Sequence, residues 1–455
     1  MYTILLSGGS GKRLWPLSNN LRSKQYLKVV KGVTDEPQSM IQRVWSQLQT
    51  EGLNQGAIIT AGKSQVEIIR SQLGMDVQIV VEPIRRDTFP AVALSCAYLM
   101  SELRVNASDV VVVLPVDPFT EQLYFSTVKK LESILLESGA NIALMGAIPV
   151  FPSAKYGYII PKQDMGSYIT VDRFQEKPTE SDAAKLIQKG ALWNCGVFCF
   201  RIGYMLDYLK NHNLPTDYSL LYEAYDQLNK ISFDYEIVEK CNNICTVSFD
   251  GKWKDLGTWN TLTEEMNSPT IGNCIMSDSC NNTHIINELE IPVVVIGTQN
   301  LVVVASSDGI LVSDKTQSSY MKEYIKDVGD FPMYEERRWG SLKVIDVNRK
   351  GENLTMTRHV QLKGGMNSSL HFHNYRDEIW TILTGEGKLL RDGDIINVKS
   401  GDSVRIPRLS HHAILANSDL DIIEIQIGES IGSEDITRLL YDWDEIWNQY
   451  FGSRK

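Results

Sequence analysis

Short, continuous apolar runs alternate with helix-like patterns along residues 1–266. Thr3–Ser7, Ala57–Ala61, Val77–Val81, Val110–Pro115 and Ile142–Gly146 read as strands. Met40–Gln49, Ser64–Leu73, Ala91–Leu103 and Phe125–Glu137 carry the 3.6-residue spacing of helices. Strands that are apolar on both faces and separated by helices belong to a parallel sheet covered on both sides. The pattern predicts a doubly wound, Rossmann-like α/β domain.

The pattern changes near Asn267. Thr283–Ile286, Val293–Gly297, Leu301–Ala305 and Ile310–Ser313 are short strands with polar breaks, which predicts a small β-rich bridge module over 267–330. A helical connector is expected around Ser318–Val328. From Arg337 to Ile427 strands recur between the turn signals Lys363-Gly-Gly, Thr384-Gly-Glu-Gly, Asp392-Gly-Asp and Ser400-Gly-Asp. That spacing predicts an all-β sandwich or barrel within 331–455, followed by a tail, Asp435–Phe451, that is helical or irregular.

Composition adds limits. The 455 residues are 43% hydrophobic and 22% charged, ordinary globular usage with ample core material. The net charge of −11 argues against a general nucleic-acid or anionic-membrane surface, though not against a local anion site. No apolar run reaches bilayer length, and Tyr2–Leu6 is too short for a signal peptide, so a cytoplasmic location with no membrane partner is expected. Seven cysteines without a CxxC pair read as reduced thiols.

The first candidate chemistry follows the first strand. Gly8 to Ser18 reads GGSGKRLWPLS, with Ser23-Lys24-Gln25 beyond it. Glycines let backbone N–H groups approach a phosphate, and Lys12, Arg13 and Lys24 add positive charge. It is not a P-loop, because Leu6 stands where that motif has its first Gly and Arg13 follows the Lys; it is not a dinucleotide fingerprint, because Leu14 replaces the last Gly. The stretch resembles the opening of the mannose-1-phosphate guanylyltransferase (GDP-mannose pyrophosphorylase) family. The likeness continues in order at Val81–Leu94, Val113–Asp117, Tyr156–Ile160, Phe174–Pro178, Leu192–Phe198, Phe233–Lys240 and Trp253–Trp259.

In such enzymes a sugar 1-phosphate oxygen attacks the α-phosphorus of an NTP and pyrophosphate leaves. The chemistry calls for a divalent metal and fixed cations rather than a covalent nucleophile. The resemblance implies Mg²⁺ at Asp117 and Asp255, with Arg13 and Lys24 on the nucleotide phosphates. It implies a nucleotide pocket of Leu6, Gly8, Gly9, Gly11, Glu82 and Arg85. The sugar-phosphate side is Gly157, Glu176, Lys177 and Asn194. Three departures stand out: Ser23 for a Pro, Arg86-Asp87-Thr88-Phe89 for an Asn-Thr-Ala segment, and Pro118 for a His.

A second constellation lies in the C-terminal segment. Gly365, His371, His373, Glu378 and Gly385 have the spacing of the first cupin motif, and two residues apart on a strand share a face. Gly401, Pro407 and His412 follow the second motif, with Leu409 for its usual Gly. Three imidazoles and a carboxylate suit Zn²⁺ or another divalent transition metal. Arg337–Val344, Tyr375–Trp380 and Gly428–Arg438 resemble the phosphomannose isomerase domain of bifunctional type II enzymes. His371 and Ile379 replace a Gln and a His of that pattern, while Arg376, its candidate phosphate binder, is kept. Altogether the resemblance implies an enzyme that makes GDP-mannose from GTP and mannose 1-phosphate, working as a homo-oligomer, expected as a dimer. The barrel is expected to hold one divalent metal and to isomerise mannose 6-phosphate weakly or not at all. The alternatives are another sugar, polyol phosphate or base, or a sugar-nucleotide-binding regulator.

Overall fold

The computed structural model describes residues 1–9, 12–32, 36–326, 328, 332–351, 353–432 and 435–452. Gly11, expected at the nucleotide, lies outside them, as does part of the Ser318–Val328 connector.

The N-terminal body is built on eleven strands. They are β1 (Tyr2–Leu6), β2 (Ala57–Gly62), β3 (Gln78–Glu82), β4 (Val110–Pro115), β5 (Pro118–Thr120), β6 (Ile142–Ala147), β7 (Tyr158–Asp164), β8 (Ile169–Gln175), β9 (Leu192–Arg201), β10 (Ile244–Phe249) and β11 (Trp253–Asp255). Nine form one sheet in the order β3-β2-β1-β4-β9-β6-β10-β8-β7. Its first four strands are parallel, as the apolar runs require. The sheet is not parallel throughout: β9 runs antiparallel to both β4 and β6. The expectation of one parallel sheet is corrected there. The helices α1 (Met40–Glu51), α2 (Val66–Leu73), α3 (Thr88–Ser101) and α4 (Gln122–Ser138) accompany it. Two separate apolar cores cover its faces, one around Leu5, Ile59 and Val112, the other around Ile4, Val80 and Val111. Alternate residues of the same strands supply opposite faces, as the period of two demands.

The middle strands are β12 (Thr270–Ile271), β13 (Cys274–Met276), β14 (His284–Asn287), β15 (Val293–Val295), β16 (Leu301–Ser306) and β17 (Gly309–Asp314). β12, β14 and β16 pair in parallel, as do β13 and β15, so the chain winds as a small coil that ends in one antiparallel hairpin, β16–β17. Its inward Ile286, Val302 and Val304 share a core with Leu14, Leu17 and Leu27 of the N-terminal loop. Arg22 fixes that contact by a two-pronged bond to Glu288, 2.8 Å at each nitrogen. In the connector only short turns are described, Gln317–Tyr320 and Met321–Tyr324.

The C-terminal strands are β18 (Tyr334–Arg337), β19 (Gly340–Lys350), β20 (Asn353–Leu362), β21 (Leu370–Phe372), β22 (Arg376–Thr384), β23 (Glu386–Arg391), β24 (Asp394–Lys399), β25 (Ser403–Ile406), β26 (His412–Ala416), β27 (Leu420–Gly428) and β28 (Thr437–Leu440). They form a six-stranded and a five-stranded sheet around an apolar core of Leu342, Trp380, Ile382 and Ile422, the expected cupin barrel. The tail splits into β28 and a helix, Trp443–Phe451, capped by Asp442.

Candidate active site and metal centre

The first site is made at the carboxyl edge of the parallel strands. β1 ends at Leu6 and the chain turns through Ser7, Gly8 and Gly9, the last at φ 135°, a backbone that favours glycine. Ser23, which stands for the expected Pro, donates its hydroxyl to the Gly9 carbonyl at 3.0 Å, and Gln25 donates to the Ser7 carbonyl at 2.6 Å. The loop is therefore tied by side chains from the segment that carries Lys24.

Asp117 and Asp255 come from distant parts of the chain, and one short ladder joins them. Asp117 directly precedes β5, β5 pairs with β11, and Asp255 lies opposite Pro118. Pro118 opens that strand, where a missing N–H is tolerated. Lys24 Nζ then sits between the two carboxylates, 2.9 Å from Asp117 Oδ2 and 2.8 Å from Asp255 Oδ1. Burial works to lower the Lys24 pKa, but the two carboxylates outweigh it and the group stays charged. Burial likewise works to raise Asp117; Lys24 and Arg13 reverse the sign and hold it below the ordinary carboxylate value. Arg13 itself is exposed, its guanidinium beside Gly257 at the end of the same turn.

Two flanks extend from this centre. On one, Gly8 faces the Glu82 carboxylate, which accepts from Tyr225 OH at 2.7 Å. Burial raises Glu82, while Tyr225 and Arg85 oppose it. On the other, a Cβ on Gly157 would stand 2.3 Å from Glu176 Oε2. Only glycine leaves room there. Glu176 Oε1 pairs with Lys177 at 2.8 Å, whereas its Oε2 is buried with no hydrogen-bond partner among the described residues. Such an orphaned acceptor marks a place for a donor from outside, such as a sugar hydroxyl. Asn194 donates to Asp234 at 2.7 Å, and its backbone N–H bonds the Gly157 carbonyl at 2.8 Å.

The second site lies inside the barrel. His371 stands opposite His412 on β26 and opposite Arg438 on β28, so one row crosses three strands. Each imidazole turns Nδ1 to a backbone carbonyl: His371 to Ser369 at 2.7 Å, His373 to Asp435 at 2.8 Å, His412 to Ser410 at 2.9 Å. An Nδ1–H that donates outward leaves the Nε2 lone pair facing inward, the tautomer a metal needs. One ligand nitrogen from each of the three falls within 4.8 Å of the others, and buried His412 Nε2 has no hydrogen-bond partner among the described residues. Glu378 Oε1 lies 3.0 Å from His373 Nε2. Glu378 is buried and accepts from Arg376 Nε at 3.1 Å and from Trp380 Nε1 at 3.0 Å. Burial and the two neighbouring imidazoles push His371 well down. These residues fit a divalent transition metal. Arg376 does not face outward as a free phosphate binder: it is buried and donates to Glu378 at 3.1 Å and to the Gly432 carbonyl at 3.1 Å.

Residues 2–270 match the family described as nucleotidyl transferase. The chain belongs to that family. In this nucleotidyltransferase, residues 331–441 also match the family described as mannose-6-phosphate isomerase C-terminal. It is 30% identical over 478 residues to the alginate biosynthesis protein AlgA of Pseudomonas putida, covering 96% of this chain and 95% of that protein. It is 27% identical over 471 residues to the mannose-1-phosphate guanylyltransferase RfbM of Salmonella typhimurium, covering 96% of each. Among solved structures, one titled mannose-1-phosphate geranyltransferase, from Thermus thermophilus, superposes at a TM-score of 0.60 with 26% identity, covering 71% of this chain and 98% of that one. The resemblance carried by the motifs thus holds over nearly the whole enzyme. No helix among its described residues is long and apolar enough to cross a membrane.

The nucleotidyltransferase also brings in residues that the sequence reading did not single out. Asp234, inside the Phe233–Lys240 stretch, opens a π-helical turn at the flank of Glu176 and Asn194. Burial and the Glu176 charge push its pKa up to about 7. In the barrel, Gln426 donates to Glu378 at 2.9 Å and to Glu424 at 2.6 Å, which joins both residues to the network around Glu378. The only signal for them was alternation along β27, which marks a face and not a role.

Proposed function

We propose that this enzyme transfers the guanylyl group of GTP to mannose 1-phosphate, giving GDP-mannose and pyrophosphate. The observation that carries the reading is Lys24 between Asp117 and Asp255 beneath the glycine loop. Asp117 and Asp255 would hold Mg²⁺ with hard oxygen ligands, both reaching toward the point where Lys24 Nζ sits. That ion would neutralise phosphate charge during in-line displacement. Lys24 and Arg13 bind the NTP phosphates, with Lys24 moving from its carboxylate partners to the incoming anion. Leu6, Gly8, Gly9, Glu82 and Arg85 line the nucleotide side. Gly157, Glu176, Lys177 and Asn194 hold the sugar phosphate, Glu176 by its free oxygen. Mannose and guanine are supported by the names of the relatives. A panel of NTPs against sugar 1-phosphates, read by pyrophosphate release, tests this: GTP with mannose 1-phosphate should lead, and a lead for CTP, UTP or dTTP overturns the base assignment.

The three-unit division at 1–266, 267–330 and 331–455 belongs to the same proposal. In the third unit, His371, His373, Glu378 and His412 hold a divalent metal, Zn²⁺ being the first candidate. The ion would polarise a sugar carbonyl for aldose–ketose isomerisation. Arg376 positions Glu378. A coupled fructose 6-phosphate assay tests turnover, which should be weak and lost in Glu378→Gln.

A further inference from the structure

One residue of the nucleotidyl domain reaches the barrel cavity. Glu67, in the first turn of α2, lines the same cavity of about 80 Å³ as His371, Arg338 and Arg438. Its Oε2 accepts from the Arg338 backbone N–H at 3.4 Å and lies 3.9 Å from Arg338 Nε. Arg338 is buried, gives Nη2 to the Tyr441 carbonyl at 2.6 Å, and leaves Nε without a hydrogen-bond partner among the described residues. Arg438 stands in register with His371, so both side chains face the barrel interior. Among the described residues no carboxylate comes within ion-pairing distance of Arg438. Arg70, one turn along α2, is close enough to repel Arg338 and has its own buried Nε unpartnered among the described residues.

Glu67 is therefore the carboxylate common to Arg338 and Arg438, pairing with the first at 3.9 Å and acting on the second from further away, while Asp442 adds attraction at Arg338 and Glu335 at Arg438, where Arg337 repels. Buried donors left unpaired are costly, and an arginine fork matches the oxygens of a phosphate. Arg376 is not available for this task, because its donors hold Glu378 and the Gly432 loop.

We propose that the barrel mouth is a phosphate-monoester site formed by Arg338 and Arg438, and that Glu67 of the nucleotidyl domain occupies it as a resident counter-charge which the ligand must displace. The row His412–His371–Arg438 places this anion site beside the metal ligands, so the fitting ligand is a sugar phosphate with its phosphate at the mouth. The proposal deepens the reading of the barrel as a sugar-phosphate site, but binding is read directly and does not need turnover.

The test is calorimetric titration of the full chain with inorganic phosphate and with mannose 6-phosphate. Glu67→Gln should tighten both ligands at least threefold, because the competing charge is gone. Arg438→Gln should weaken both at least tenfold, and neither variant should alter nucleotidyl transfer. Phosphate bound at the transfer site is common to all variants and cancels in the comparison. An unchanged or weakened affinity in Glu67→Gln overturns the proposal. Amide exchange gives a second readout that needs no variant at position 438: phosphate should speed exchange along residues 66–73 of the wild type and not of Glu67→Gln. No change in the wild type overturns displacement. Absence of isomerisation with these responses intact would remove the reaction assigned to the barrel and leave the anion site standing.

Discussion

Leu409 has a left-handed backbone, φ 65°, where the cupin pattern has glycine. Its side chain is 59% exposed and contributes little packing. A non-glycine residue there costs about 1–2 kcal/mol, partly offset by the greater freedom of an unfolded glycine. Leu409→Gly should therefore stabilise the protein by about 0.5–1 kcal/mol in urea unfolding. Asp234 gives a pH-dependent case. Its folded pKa of about 7 exceeds the ordinary 3.8, so the folded state binds more protons between those values. Stability contributed by this group is full below about pH 4 and falls as pH rises to 7. Asp234→Asn keeps the acceptor for Asn194 and removes the buried charge. It should be more stable than wild type by on the order of 1–3 kcal/mol at pH 8, with the gap closing near pH 4. Unfolding midpoints at the two pH values check both sign and window. Gly157→Ala drives a methyl group into the Glu176 carboxylate, so KM for the sugar phosphate should rise roughly tenfold or more while NTP affinity holds, as steady-state kinetics would show.

Among the elements, two short pairings decide most of the chemistry. The β5–β11 ladder is three residues long, yet with Lys24 between the carboxylates it sets Asp117 beside Asp255. The β26–β21–β28 row does the same for His412, His371 and Arg438. At this scale the metal is testable: the full chain, purified without a histidine tag, should carry one transition-metal ion in the barrel. His371→Ala with His373→Ala should remove it while leaving the second unit's strands and the transfer site in place. Elemental analysis beside a pyrophosphate-release assay reads both halves. Arg22 links two elements, the loop after the glycine turn and the coil of parallel strands. Breaking its bidentate bond leaves Glu288 alone in a partly buried place. Arg22→Ala should cost about 2–4 kcal/mol, read by denaturant unfolding.

Across the whole molecule, the barrel is held against the sheet domain by Glu336 of β18. Its carboxylate accepts from Lys28 at 3.0 Å, Ser71 at 2.7 Å and Gln72 at 3.4 Å. Burial works to raise Glu336, but these partners hold it below the ordinary glutamate value. Glu336→Lys places like charge against Lys28 and removes all three bonds. Calorimetry should then show the barrel melting apart from the remainder, where the wild type gives overlapping transitions. The stabilisation from this carboxylate is present above the unfolded glutamate pKa and lost as pH falls through the lower folded value.

Alternation of apolar runs and helical patterns already determined the doubly wound body, the change of character near Asn267 and the β-rich C-terminal part. That information is local, since each segment reports its own period and burial. The glycine loop and the spacing of His371, His373 and Glu378 were legible for the same reason: loop chemistry and strand parity act within a few residues. The antiparallel entry of β9 was not legible, because an apolar run buried on both faces carries no sign of its direction. Neither was the role of Ser23, whose hydroxyl matters only because Gly9 lies opposite. Asp234, Glu67 and Arg438 are ordinary charged residues on their own elements. What they do depends on neighbours far along the chain, Asn194 for Asp234 and Arg338 for Glu67, and only the packing of the tertiary structure brings those groups together.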